Sequence, residues 1–145
     1  MNNLLKNVEV VVVEAPAPAA QTTLTTDVID MAGWTGVMFV AHLGDVTTGS
    51  VLGFAAHGSD LSGSGFDDLE NPLAFTAGAT DADNKLLILD VVRPVHRYVQ
   101  AVLSRGVASA VCNGILAIKY GPISAPVTQG ATVLASRTLA NAELA

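Results

Sequence analysis

The amino-acid sequence predicts an all-β domain, an antiparallel β-sandwich or jelly-roll-like barrel with extended N-terminal and C-terminal segments. Three observations predict it. Apolar and polar residues alternate with period two in Val37–Leu43 and again in Ile115–Tyr120, the spacing that buries one face of a strand. Clusters of Gly, Pro, Asn, Asp and Ser recur about every eight to twelve residues and cut the chain into about seven to nine short strands. The stretch Lys85–Arg105 holds two dense apolar runs, Leu86–Val92 and Tyr98–Leu103, joined through Arg93-Pro94. Pro94 has no N–H and fixes its own φ, and it pushes Arg93 towards an extended conformation. Two strands meeting at a corner are expected there. The first run, LLILDVV, barely alternates, which predicts burial on both of its faces.

Taken in order, residues 1–6 form a short lead, one helical turn at most. Asn7–Glu14 is a strand by its β-branched density. Ala15–Ala20 carries prolines at alternate positions and reads as an extended, solvated connection. Thr22–Met31 is a strand rich in Thr and Val, and Gly33 and Gly36 bracket Trp34, the single tryptophan, in a turn. Val37–Leu43 and Ser50–His57, separated by the turn Gly44–Gly49, are expected to pair as an antiparallel hairpin. Ser59–Pro72 is loop by composition, Leu73–Phe75 a short edge strand, and Gly78–Asn84 a turn. After Arg105 the chain turns at Gly106–Ser109. Val111–Tyr120 is the last strong strand, with a bulge or tight bend at Asn113-Gly114. Thr132–Ser136 is a weak pairing segment, and Thr138–Ala145 a tail. The expected organisation is therefore an N-terminal strand or arm (1–20), a sandwich core (21–125) and a C-terminal tail (126–145).

Composition narrows the function classes. The chain has 145 residues, 50% hydrophobic and 14% charged, against about 25% charged in an ordinary soluble domain. Its mean hydropathy is +0.48. No window reaches the roughly 18 uninterrupted apolar residues of a membrane helix, and MNNLLKNVEV lacks the apolar core of a signal peptide. An apolar, charge-poor chain of this kind is expected to hide surface in an assembly, so a homo-oligomer is anticipated. Net charge is −6, with scattered Lys and Arg, which argues against nucleic acid as a partner. The single Cys112 cannot form an internal disulfide and reads as a small buried hydrophobe, in keeping with folding in a reducing cytoplasm.

The chain has no P-loop, GxGxxG, GxSxG, HExxH or CxxC. His42 and His57 fall on the two strands of the expected hairpin, far apart along it, and His96 falls at a strand end. Asp67, Asp68 and Glu70 cluster in one loop, where a Ca²⁺ site competes with the plainer reading of a solvated acidic loop. Asp81-Ala82-Asp83-Asn84 begins like an EF-hand loop but lacks its Gly, and the match is rejected. No Ser/His/Asp or Cys/His set can be placed. The expectation is a non-enzymatic protein with no cofactor and no metal. Trp34, beside glycines, reads as a core plug or interface anchor rather than a sugar platform.

Three motifs in order resemble a known family. They are Gly58-Ser59-Asp60-Leu61-Ser62-Gly63-Ser64-Gly65-Phe66-Asp67-Asp68-Leu69, then Asp90-Val91-Val92-Arg93-Pro94 leading into Arg97-Tyr98-Val99-Gln100-Ala101-Val102, then Gly114-Ile115-Leu116-Ala117-Ile118-Lys119-Tyr120-Gly121-Pro122. This order is similar to small β-sandwich structural proteins of tailed bacteriophages that decorate or cement the capsid. The resemblance implies a virion location on the outer capsid surface after assembly in the host cytoplasm. It also implies a major capsid protein as partner, a homotrimer, and no catalytic residues. A carbohydrate-binding sandwich and a neck or tail structural protein of a phage remain as alternatives. Partner contacts are expected at Val8, Val10, Val12, Pro16, Pro18 and Trp34. Val8–Glu14 is either an arm that adds to a neighbour's sheet or the first strand of this domain's own sandwich.

Overall fold

The computed structural model describes residues 3–139. After a single 3-10 turn at Leu4–Lys6 the described chain is strand and loop, folded as two antiparallel sheets packed face to face. The strands are β1 (Val8–Glu14), β2 (Ala17–Ala20), β3 (Leu24–Thr25), β4 (Ile29–Asp30), β5 (Gly36–Val46), β6 (Val51–Ser59), β7 (Asp67–Asp68), β8 (Leu73–Thr76), β9 (Leu86–Val92), β10 (Tyr98–Gly106) and β11 (Ala110–Tyr120). The first sheet runs β1-β11-β5-β9, with β2 continuing beyond β1 along β11. The second runs from β3 and β4 through β10 and β6 to β7 and β8. The all-β antiparallel sandwich expected from the sequence is thus the observed fold.

Alternation decides what lies between the sheets. Val37, Phe39, Ala41 and Leu43 of β5 are at most 1% exposed, and Ile115 and Ala117 of β11 lie beside them. Leu52 and Phe54 of β6 and Val99, Ala101 and Leu103 of β10 face them from the second sheet, each 0% exposed. Each fully buried Val, Leu, Ile or Phe of this kind contributes about 1.5–3 kcal/mol. Cys112 is buried in the same core, as expected.

The expected hairpin of Val37–Leu43 with Ser50–His57 does not form. β5 pairs with β11 and β9, while β6 pairs with β10, β7 and β8. The turn at Thr47–Ser50, closed by Ser50 N–H to Thr47 C=O at 3.0 Å, carries the chain from one sheet to the other. Two strands with one apolar face each can bury those faces side by side or face to face, and this pair stacks. The corner at Arg93-Pro94 behaves as expected, since β9 and β10 also lie in opposite sheets. Arg93 itself is left-handed (φ 48°) rather than extended, and its N–H donates to Thr35 C=O at 2.8 Å.

Burial on both faces of LLILDVV is also corrected. β9 pairs only with β5 among the described strands, so it is an edge strand, and its alternating burial leaves Leu86, Ile88, Asp90 and Val92 exposed on one face. Thr22–Met31 is two short strands rather than one, β3 and β4, both on β10. Part of the expected solvated connection is β2, and part of the expected loop Ser59–Pro72 is β7. The bulge near Asn113-Gly114 is present, with Gly114 at φ 130°.

Of the two readings left open for Val8–Glu14, the structure has the strand in its own sandwich. β1 pairs with β11 from Val8 opposite Tyr120 to Glu14 opposite Ile115, and Val13 is 2% exposed. The free-arm reading of this segment is corrected accordingly. A strand so rich in valine gains more by closing the core than by remaining solvated.

Candidate functional site

The outer faces of the two sheets differ in chemistry. On the second sheet Thr25, Asp30, His57, Asp68, Tyr98, Gln100 and Ser104 share the outward register with the smaller apolar set Val51, Ala55 and Val102. On the first, successive outward rows read Val12–Leu116–Val40–Ile88 and Val10–Ile118–Met38–Asp90, with the exposed His42 in the next row opposite Leu86. Val12, Leu116 and Ile88 are 41%, 38% and 46% exposed, and Leu86 and Val92 on the same strand are each 54% exposed. A hollow of about 660 Å³ on this face is lined by Leu4, Val8, Met38, Ile118, Tyr120 and Ile123 together with Asp90. Large apolar faces left open on a folded domain are in general interaction surfaces.

The two edges of the first sheet differ as well. The edge of β1 is covered by the chain's own residues 127–132. Gln129 Oε1 accepts from Val10 N–H at 2.9 Å while Gln129 Nε2 donates to Val8 C=O at 2.7 Å, so one side-chain amide stands in for a ladder peptide group. Val12 N–H donates to Thr132 Oγ1 at 3.1 Å. No described residue covers β9 in this way. Beside β9, a cleft of about 440 Å³ opens between the sheets, lined by Phe54, Leu69, Leu89, Val91 and Pro94.

The residues expected to contact a partner do not converge on one place. Val10 and Val12 lie on the apolar outer face, Val12 exposed and Val10 half-buried. Val8 is 6% exposed and already covered within the chain. Pro16 and Pro18 are exposed where β1 passes into β2. Trp34 is half-buried, with the Lys119 ammonium 4.8 Å from its ring centroid, and Lys119 pairs with Glu9 at 2.8 Å. One side of the indole is therefore engaged within the chain. Leu86, Ile88, Val92, Leu116, Met38 and Val40 form much of the outer face and are not among the residues expected to make contacts. The signal was the density of LLILDVV itself, which suits an edge strand at an interface as well as a strand buried on both faces.

The titratable groups form pairs rather than a constellation. His57 Nε2 lies 2.6 Å from Asp68 Oδ1, and His96 Nδ1 lies 3.2 Å from Asp60 Oδ1. His42 is on the other sheet from His57. Arg97 grips Asp30 with two bonds of 2.9 Å, and this guanidinium holds the Asp30 carboxyl below its usual range. Burial raises the Cys112 thiol. Among the described residues no group of three His, Cys, Asp or Glu side chains gathers to hold a metal ion.

No family model and no curated protein matches the chain. Among solved structures, it is similar to the PBSX exported protein XepA. The identity is 16%, the TM-score 0.52, and the match covers 97% of this chain and 46% of that one. The chain thus spans under half the length of XepA, and at this identity the likeness shows a shared fold. Weaker likenesses are to a chain from disulfide-linked pili that form Bacillus endospore appendages (14% identity, 82% and 91% covered, TM-score 0.46) and to Eiger TNF from S. frugiperda (9%, 89% and 94%, TM-score 0.38).

Proposed function

We propose that this chain is a non-enzymatic structural protein of a phage particle, one that binds the outer surface of the capsid and stabilises it. Its partners would be the major capsid protein and further copies of itself. The observation that carries the reading is the apolar outer face of the first sheet, set against the polar outer face of the second. A small sandwich with one greasy and one wettable face is suited to lie flat on a shell, with the polar side to solvent. The fold shared with XepA, described as a PBSX exported protein, supports a phage-type structural role. The family resemblance supplies the capsid as the specific form.

Immunogold electron microscopy tests the reading. Particles are purified from cultures of the strain that encodes the chain and labelled with antibody against it. Gold over the head shell is expected. Gold confined to neck or tail would replace the capsid role with a neck or tail role, and particles without label would overturn the virion reading.

A further inference from the structure

We propose that the uncovered edge of β9 joins two copies of this chain. β9 would pair antiparallel with β9 of the second copy about a two-fold axis at Leu89, making the two first sheets one. The proposal does not depend on a place in a virion.

The bonds at the ends of the β5–β9 ladder fix its phase. Leu43 N–H donates to Lys85 C=O and Arg93 N–H donates to Thr35 C=O, so the odd-numbered residues of β9 bond to β5. In an antiparallel pair, bonding alternates residue by residue. Leu86, Ile88, Asp90 and Val92 therefore turn their backbone N–H and C=O to the open edge. Such a row is a template for another strand unless it is shortened, charged, bulged or covered. The other edges are managed in these ways. β3, β4 and β7 have two residues each and β8 has four, while β1 is covered by Gln129 and Thr132. β9 has seven residues, a regular register against β5, and no such cover among the described residues.

The strand is complementary to itself. With the axis at Leu89, Leu86 lies opposite Val92 of the second copy and Ile88 opposite its Asp90, so every outward-turned residue meets another. Leu86 and Val92, each 54% exposed, cover one another at both ends. On the inner face Leu87 meets Val91 and Leu89 meets Leu89, over the cleft lined by Phe54 and Leu69. Asp90 faces Ile88 rather than its own counterpart. The like-charge meeting of Lys85 with Arg93 falls outside the strand, where the chain turns at Arg93. An isologous contact of this type closes at two copies.

Sedimentation equilibrium of the full chain should give twice the 14.8 kDa chain mass. Ile88→Pro removes an N–H that the ladder to β5 does not use, so the fold should persist, checked by near-ultraviolet circular dichroism, while dimer affinity falls by about tenfold or more. As a second readout, Leu89→Cys sits on the axis, where facing Cα atoms in a non-hydrogen-bonded pair lie about 4.5 Å apart, within disulfide reach. It should cross-link two copies under mild oxidation, and Leu87→Cys should not. A monomer at all concentrations, a trimer mass, an unchanged dimer in a folded Ile88→Pro chain, or equal cross-linking at 87 and 89 would each overturn the proposal.

Discussion

The Tyr120 hydroxyl donates a 2.5 Å hydrogen bond to Asp90 Oδ1, reaching from β11 to β9 across the strand between them. The crossing is possible because β5 starts with Gly36, which pairs with Tyr120 on one side and Val92 on the other. A Cβ at Gly36 would overlap Tyr120 Cζ and Oη. The bond ties the edge strand β9 to the centre of its sheet.

Gly36→Ala should therefore destabilise the fold by roughly 1–3 kcal/mol, the usual range for forcing volume into a filled site. Urea unfolding measures it. Because the clash is with one side chain, Tyr120→Val should remove most of the penalty when the two changes are combined. Simple additivity of the two would mean the ring is not what fills the space.

Burial, and then the bond to Asp90, push the Tyr120 hydroxyl up from 10.0 to about 12. Between those values the unfolded chain has released this proton and the folded chain still holds it. The folded state binds more protons in that window, so stability falls as pH rises from about 10 to about 12. Melting temperatures followed over this range should fall more steeply for the native chain than for Tyr120→Phe. Equal slopes would remove Tyr120 as the group responsible.

Arg105 is 3% exposed and donates to the carbonyls of Pro18, Thr22 and Ala110 and to Thr22 Oγ1 at 2.7–3.0 Å. Its guanidinium fork holds the segment after β2 against the end of β10. Arg105→Met keeps apolar bulk but leaves those oxygens without donors, at about 1–3 kcal/mol for each buried group left unpaired. A melting temperature lower by at least about 5 °C is expected from calorimetry. Arg105→Lys should recover only part, because an ammonium lacks the planar fork.

Val107, in the turn between β10 and β11, is 75% exposed and sits at φ 67°, with Ala108 N–H bonded to Gly106 C=O at 2.7 Å. A β-branched residue is strained in that region. Val107→Gly should stabilise by roughly 0.5–1 kcal/mol after the added freedom of glycine in the unfolded chain is offset. Val107→Ala keeps a Cβ and should gain far less. Chemical denaturation of both variants separates strain relief from a change in surface hydrophobicity.

Much of the layer structure was legible in the sequence. The alternation of Val37, Phe39, Ala41 and Leu43 marked the residues that fill the core. Pro94 marked a corner between sheets, and Asn113-Gly114 marked a bulge. Of the candidate contact residues, Val8, Val10 and Val12 share the apolar outer face, and Val8 there is already covered by the chain itself. The exposed face of LLILDVV, which completes that surface, reads as interior from the sequence. Local composition reports that a segment is apolar, but not whether its second face meets a layer or solvent.

The sequence by itself determined that the chain makes strands, where most of them turn, and which side of the alternating ones is apolar. Those properties follow from backbone sterics and side-chain period, which act within a few residues. The tertiary structure decided the partners. β5 and β6 are adjacent in the chain yet sit in different sheets, and β11 lies between β1 and β5 although many residues separate them in sequence. Pairing of this kind is set by the joint burial of faces from distant segments, a quantity no single stretch of sequence contains. The same competition left β9 at the edge, with its apolar outer face and backbone groups open.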